Sequence, residues 1–281
     1  MENALEIKNL SKDYGDFVLE DISLLLPKGT IMGFIGENGA GKSTTIKCIL
    51  DLIKKDAGEI NLLGNSTPLS SKEKENIGVV LDADNLPDYV TIVDLNLIMK
   101  NIFTQWNPQL YFNYVEKFHL PEKKKVCDFS RGMKMKLAIA IALSHDAKLL
   151  ILDEATSGLD PIVRDEILDI FLEFIQDEEH SILVSSHITS DLERIADYIT
   201  YIHEGKIVFC EPKDYLLENY VKVQFTDVQF ENFDKTCVVG KRKGRFSIDA
   251  LVVNGNDLHD YVTEKPTIEE IMLYFGKESE R

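Results

Sequence analysis

The sequence predicts an α/β fold: a mostly parallel sheet wrapped by helices, with a helical subdomain inserted and a smaller α+β unit following. Three observations carry this expectation. Short apolar runs that read as buried strands recur at 31–35, 77–81, 149–152 and 182–184, with helical patterns among them. The stretch from about 91 to 144 looks nearly all helical. After Glu211-Pro212 the pattern changes to short strands and one closing helix.

The elements follow in chain order. Ile31-Met32-Gly33-Phe34-Ile35 is an apolar run bounded by glycines, hence a buried strand. Residues 43–53 place Ile46, Ile49, Leu50 and Ile53 at helical spacing. Ile77 to Leu81 is a second buried strand, and Asn107-Pro108 a helix start, a cap followed by proline in the first turn. Residues 130–144 read as a longer helix with Leu137, Ala138 and Ile141 on one side. Val221–Phe225, Arg245–Ile248 and Leu251–Val253 read as strands, and Thr267–Phe275 as an amphipathic helix after Pro266. The run Lys241-Arg242-Lys243-Gly244-Arg245 reads as a solvated hairpin turn rather than an anion site. The expected division is 1–210, with its helical subdomain at about 86–145, and an accessory unit at 211–281.

Composition bounds the function. The 281 residues suffice for a sizeable core, and the net charge of −17 argues against a nucleic-acid partner. No run of 18 apolar residues spans a bilayer, and the first residues lack the pattern of a signal peptide. Cys48, Cys127, Cys210 and Cys237 form no Cys-x-x-Cys pair and read as reduced thiols, with Cys48 and Cys210 as packing residues.

Two motifs carry chemistry. Gly36-Glu37-Asn38-Gly39-Ala40-Gly41-Lys42-Ser43-Thr44 satisfies Gly-x4-Gly-Lys-Ser/Thr between an expected strand and an expected helix. Its amides would surround phosphate at a helix N-terminus, Lys42 would meet the β- and γ-phosphates, and the Ser43 hydroxyl suits Mg²⁺. Leu149-Leu150-Ile151-Leu152-Asp153-Glu154 is an apolar strand ending in two carboxylates. At the carboxyl end of a parallel strand, Asp153 is expected at the metal, and Glu154 at the attacking water.

Further features resemble the ABC ATPases, over about residues 4–210. Tyr14 matches the aromatic that stacks on adenine, and Phe129-Ser130-Arg131-Gly132-Met133 resembles the signature Leu-Ser-Gly-Gly-Gln. Ser157-Gly158-Leu159-Asp160 resembles the D-loop, and His187 in Val184-Ser185-Ser186-His187 matches the switch histidine. The resemblance implies a P-loop NTPase (RecA-like) core with an antiparallel β subdomain. It implies ATP and Mg²⁺ as cofactors, with Glu154, His187 and Lys42 in hydrolysis. It also implies a head-to-tail dimer with a second nucleotide-binding subunit, a copy of this chain or a close relative, in which Ser130 and Gly132 face the ATP of the partner. The signature departs from the family at Arg131 and Met133, and Asp82 stands where the family has a glutamine, as a metal ligand with Asp84 a nearby competitor.

The Ser-Arg-Gly-Met signature and Pro266-Thr267-Ile268-Glu269-Glu270-Ile271 resemble ATPases of bacterial exporters of peptides, antibiotics or other amphipathic compounds. That implies a chain held at the cytoplasmic face of the membrane by a separate transmembrane permease subunit, with Leu86, Tyr89, Val90 and Trp106 as candidate contacts. The competing classes are a soluble ABC ATPase without a transport role, and a P-loop kinase or GTPase. The kinase or GTPase reading leaves the signature, D-loop and His187 unexplained.

Overall fold

A computed structural model of the chain describes residues 2–81, 86–253 and 258–276. Its centre is a six-stranded sheet in the order β10-β9-β3-β8-β7-β6. These strands are β3 (Ile31–Ile35), β6 (Ile77–Val80), β7 (Leu149–Asp153), β8 (Ser181–Ser186), β9 (Tyr198–His203) and β10 (Lys206–Pro212). All pairings are parallel except that of the edge strand β10 with β9. Every residue of β3, β7 and β8 is buried, as expected of strands covered on both faces.

A second sheet, wholly antiparallel, has the order β2-β1-β4-β5. Its strands are β1 (Asn3–Asp13), β2 (Val18–Pro27), β4 (Ala57–Leu62) and β5 (Asn65–Ser66). One apolar cluster joins Leu5, Ile7, Leu19 and Ile22 of this sheet to Met32 and Phe34 of β3. Helix α1 (Lys42–Ile49) leaves β3 through the glycine-rich loop, and the short α2 (Ser71–Lys74) precedes β6.

The inserted segment is helical, as the sequence indicates. Helix α3 (Ile92–Ile102) begins with a Thr91–Asp94 capping box, and α4 (Pro108–Lys117) with Asn107 as N-cap and proline in its first turn. Helix α5 (Arg131–Leu143) begins at Ser130, whose side chain accepts from the Met133 amide. Tyr111 and Trp106 fill the space among them; the Tyr111 hydroxyl donates to the Ile92 carbonyl, and Trp106 Nε1 to Asn96. Trp106 is thus a core residue rather than a docking contact. Leu86 and Val90 also pack on the core, whereas Tyr89 is 81% exposed.

Helix α6 (Pro161–Phe174) follows β7, and α7 (Thr189–Ile195) follows β8. Beyond β10 come α8 (Lys213–Asn219), β11 (Tyr220–Phe225), α9 (Asp227–Asn232), β12 (Val238–Lys243), β13 (Ile248–Val253), β14 (Val262–Glu264) and α10 (Ile268–Gly276). The strands form an antiparallel sheet, β12-β13-β11-β14. Val223, Phe225, Phe230, Ile248, Ala250 and Val252 make a core of its own. Leu216, Leu251, Ile268, Ile271 and Tyr274 instead join the main cluster.

One expectation here is corrected. The run Lys241-Arg242-Lys243 ends a strand, β12, and the turn lies at 244–247, where the sequence suggests a strand. An edge strand accommodates charge because one side meets water. The cations also rest on rings, Lys241 Nζ 5.0 Å from the Phe230 centroid and the Arg242 guanidinium 5.7 Å from that of Tyr274.

Candidate functional site

The order β3-β8-β7 sets three chemistry-bearing loops side by side at the carboxyl ends of the strands. The glycine-rich loop leaves β3, His187 leaves β8, and Asp153 closes β7 with Glu154 just beyond it. In register, Phe34 pairs with Ser185 and Ser185 with Asp153, so the three strands end together.

The loop is built for close approach. Gly41, the N-cap of α1, has φ of 116°, which any side chain would strain. A Cβ at Gly36 would lie 2.5 Å from the Ile202 carbonyl oxygen. No side chain caps α1 and no acidic residue stands in its first turn, so its first amides are left for an anion. Lys42 is 5% exposed; its Nζ donates to the carbonyls of Gly36 (2.7 Å) and Glu37 (3.1 Å) and stands 3.4 Å from Glu154 Oε1.

These residues line a cavity of about 610 Å³. Its walls are Phe17, Glu37, Asn38, Gly39, Gly41, Lys42, Ser43, Thr44, Arg131, Glu154, Ser157 and His187. His187 Nδ1 lies 2.6 Å from Glu154 Oε2. A carboxylate only accepts, so Nδ1 carries the proton. Glu154 itself holds φ of 55°, the left-handed region, in the turn after β7. Asp153 is 8% exposed and accepts a hydrogen bond from Ser185, with no ion-pair partner among the described residues.

Other expected residues sit apart from this cavity. Ser130 and Gly132 open α5, Ser130 exposed and Gly132 half-buried. A Cβ at Gly132 would make ordinary contacts with Val163, at 3.6 Å, and Leu159, at 3.9 Å, so among the described residues nothing demands a glycine there. Ala40 is buried behind the loop. Asp82 and Asp84 lie outside the described residues.

Tyr14 and Phe17 are the corners of the turn joining β1 to β2, closed by a hydrogen bond from the Tyr14 amide to the Phe17 carbonyl. Tyr14 is 50% exposed with Lys12 Nζ 5.3 Å from its ring centroid, while Phe17 faces the cavity. Sequence reasoning missed Phe17, although an aromatic three residues from Tyr14 was visible. It also did not place Arg131 in the wall; that guanidinium lies where a side chain on Gly158 would be, 2.8 Å from such a Cβ. An arginine in the signature was the available signal.

Thiol chemistry is not part of this arrangement. All four cysteines are free, and burial raises the pKa of Cys48 and of Cys210, which disfavours their reactive thiolates. Among the described residues no helix is long and apolar enough to cross a membrane, and no group of His, Cys, Asp and Glu forms a metal cluster.

Comparison with known proteins agrees with the geometry. Residues 19–157 match the ABC transporter family. A lantibiotic transport ATP-binding protein of Streptococcus pyogenes is 38% identical over 207 residues, 73% of this chain and 89% of that protein. A bacitracin transport ATP-binding protein of Bacillus licheniformis is 32% identical over 282 aligned positions, 99% of this chain and 88% of that protein. The solved structure of an ATP-binding subunit of an ABC transporter superposes with a TM-score of 0.67 at 27% identity, covering 76% of this chain and 91% of that one. A phosphate loop, Glu154 and His187 converging in one cavity with Asp153 at the adjoining strand end, on a chain alike to these along most of its length, have one reading: the protein belongs to the ABC transporter family, as an ATP-binding and ATP-hydrolysing subunit.

Proposed function

We propose that this ATPase powers the export of peptide antibiotics or related amphipathic compounds through a separate membrane subunit. It would sit at the cytoplasmic face of the membrane as one half of a nucleotide-domain dimer. The observation that carries the hydrolytic part is the convergence of Lys42, Glu154 and His187 on one cavity. The names of the relatives, one for a lantibiotic and one for bacitracin, support the cargo class.

The chain's residues divide the work. The amides of residues 39–44 and the Lys42 ammonium bind the β- and γ-phosphates. Ser43 and Asp153 are hard oxygen donors, and the buried Asp153 carboxylate has no ion-pair partner among the described residues, so the pair fits Mg²⁺. Bound there with the nucleotide, magnesium supplies positive charge at the phosphate oxygens. Glu154 orients the attacking water and takes its proton, with His187 fixing the carboxylate. Ser130 and Gly132 complete the site of a second nucleotide-binding subunit; their place in the first turn of α5, with Ser130 exposed, supports this.

An apolar groove of about 330 Å³ supports the membrane partner. Leu50, Leu52, Leu69, Val79 and Leu81 are among its walls, and Leu52 is 61% exposed. A cytoplasmic helix of the membrane subunit fills it. The test is recovery from detergent-solubilised membranes with ATP-loaded Glu154→Gln protein as bait, beside the same bait carrying Leu52→Asp. A polytopic membrane protein held by the first and lost by the second is expected. Recovery of soluble partners alone would overturn the reading. Disruption of the gene is expected to raise sensitivity to a peptide antibiotic, and unchanged sensitivity across such compounds would remove the cargo class.

A further inference from the structure

The strand that delivers His187 delivers another side chain to the same acids. Ser185, two residues earlier, is 0% exposed and lies in register with Asp153. Its Oγ is 2.5 Å from Asp153 Oδ1 and 3.0 Å from the backbone nitrogen of Glu154. The directions of these two hydrogen bonds are forced. An amide N–H can only donate and a carboxylate can only accept. Ser185 therefore accepts from the Glu154 amide and gives its single proton to Asp153. The Ser185 carbonyl takes a longer share of the same amide, at 3.2 Å.

The hydroxyl acts where the backbone is least comfortable. Glu154 sits at φ of 55°, a left-handed conformation that strains a side-chain-bearing residue. Something must hold it there, and the amide of Glu154 is the group through which Ser185 does so. At its other end the Glu154 carboxylate is held by His187 at 2.6 Å. The intervening Ser186 shapes the turn, its Oγ accepting from the Ile188 amide at 2.9 Å.

We propose that Ser185 is the positioning residue of the hydrolytic site. One hydroxyl sets the orientation of Asp153 and the backbone direction from which Glu154 emerges. An apolar residue in its place would free the buried carboxylate to turn and leave the Glu154 amide with its weaker partner. The inference rests on the roles given above to Asp153 and Glu154.

The experiment compares Ser185→Ala with Ser185→Thr, which keeps a hydroxyl on a strand that favours β-branched residues. ATP binding is measured in EDTA and in Mg²⁺, turnover is resolved into kcat and KM, and thermal unfolding confirms folding. For Ser185→Ala the expected result is a 10- to 100-fold loss in kcat and a matching loss of Mg²⁺-dependent ATP affinity. Affinity in EDTA stays at the wild-type value, and Ser185→Thr recovers both losses to within a few fold. Adding Ser185→Ala to Asp153→Asn changes Mg²⁺-dependent affinity no further. Wild-type kcat and Mg²⁺ dependence in Ser185→Ala would overturn the proposal. So would a loss that folded Ser185→Thr fails to recover. Full turnover in Glu154→Gln would instead refute the catalytic reading itself, so the two failures are told apart.

Discussion

The two carboxylate oxygens of Glu154 have different owners: Oε2 lies 2.6 Å from His187 Nδ1, and Oε1 3.4 Å from Lys42 Nζ. The proposed base is thereby tied to the histidine that follows the neighbouring strand β8 and to the lysine that opens α1. Glu154→Gln keeps the shape of this arrangement and removes the basic oxygen. ATP affinity is expected to hold within about threefold while turnover falls about 10²- to 10⁴-fold, the range of a lost general base. Equilibrium nucleotide binding and phosphate release measure the two quantities, and a near-normal rate would reassign the base.

The turn at 14–17 offers two aromatics to adenine. Phe17 faces the cavity, while Tyr14 is half exposed and already covered by Lys12. Phe17→Ala is expected to weaken ATP binding about tenfold, consistent with roughly 1–3 kcal/mol for an aromatic–base stack. Tyr14→Ala should cost less. The opposite ranking, read by calorimetry, would return the adenine contact to Tyr14.

Stability should fall on mild acidification through His145. This residue is 2% exposed, stacked on Phe103 at 4.0 Å between ring centroids, with Nδ1 2.9 Å from the Glu75 carbonyl oxygen. Burial lowers its pKa, with the Glu75 carbonyl opposing that in part. The unfolded chain takes up this proton near pH 6.5, the folded chain only at lower pH. The contribution is therefore complete above about pH 6.5 and is lost as pH falls below it. Thermal midpoints from pH 7.5 to 5.5 should decline, and His145→Phe should flatten that decline. An unchanged slope would exclude His145 as the cause.

Ile271 of α10 is fully buried in the main apolar cluster, far along the chain from most of its neighbours there. Ile271→Ala is expected to cost about 2–5 kcal/mol. Calorimetry should show one cooperative transition moved to lower temperature. A separate early transition with the main one unmoved would mean that the tail melts as an independent unit.

The sequence exposes what is local and hides what depends on packing. The phosphate loop is contiguous, so its residues and its strand–helix setting could be read together. Asp153 and Glu154 close a run so apolar that their place at a buried strand end followed directly. His187 needed the resemblance, since one histidine after an apolar run has many explanations. Phe17 could not be chosen over Tyr14, because the fold of the turn decides which ring faces inward. Strand β12 was obscured by its lysines and arginine, which charge patterning assigns to water, whereas ring contacts with helices α9 and α10 accommodate two of them. Ser185 was hidden for a similar reason: a serine in a strand acquires meaning only once its register with Asp153 is known.

The placement of α10 bears on how the molecule is made. Its residues Ile268, Ile271 and Tyr274 back the same cluster as Leu192 and Ile195 of α7, the helix that begins two residues after His187. The Glu193 carboxylate of α7 accepts from the Ile268 amide, and Thr189 donates to Glu269. A nascent chain thus carries every side chain proposed for catalysis out of the ribosome before it carries the helix that supports the segment after His187. Until then one face of α7 is uncovered, a site for chaperones and proteases. A stop codon in the tail would leave all the residues proposed to contact ATP in place and still yield a poorly backed enzyme. The last described helix is therefore the closing step of active-site assembly.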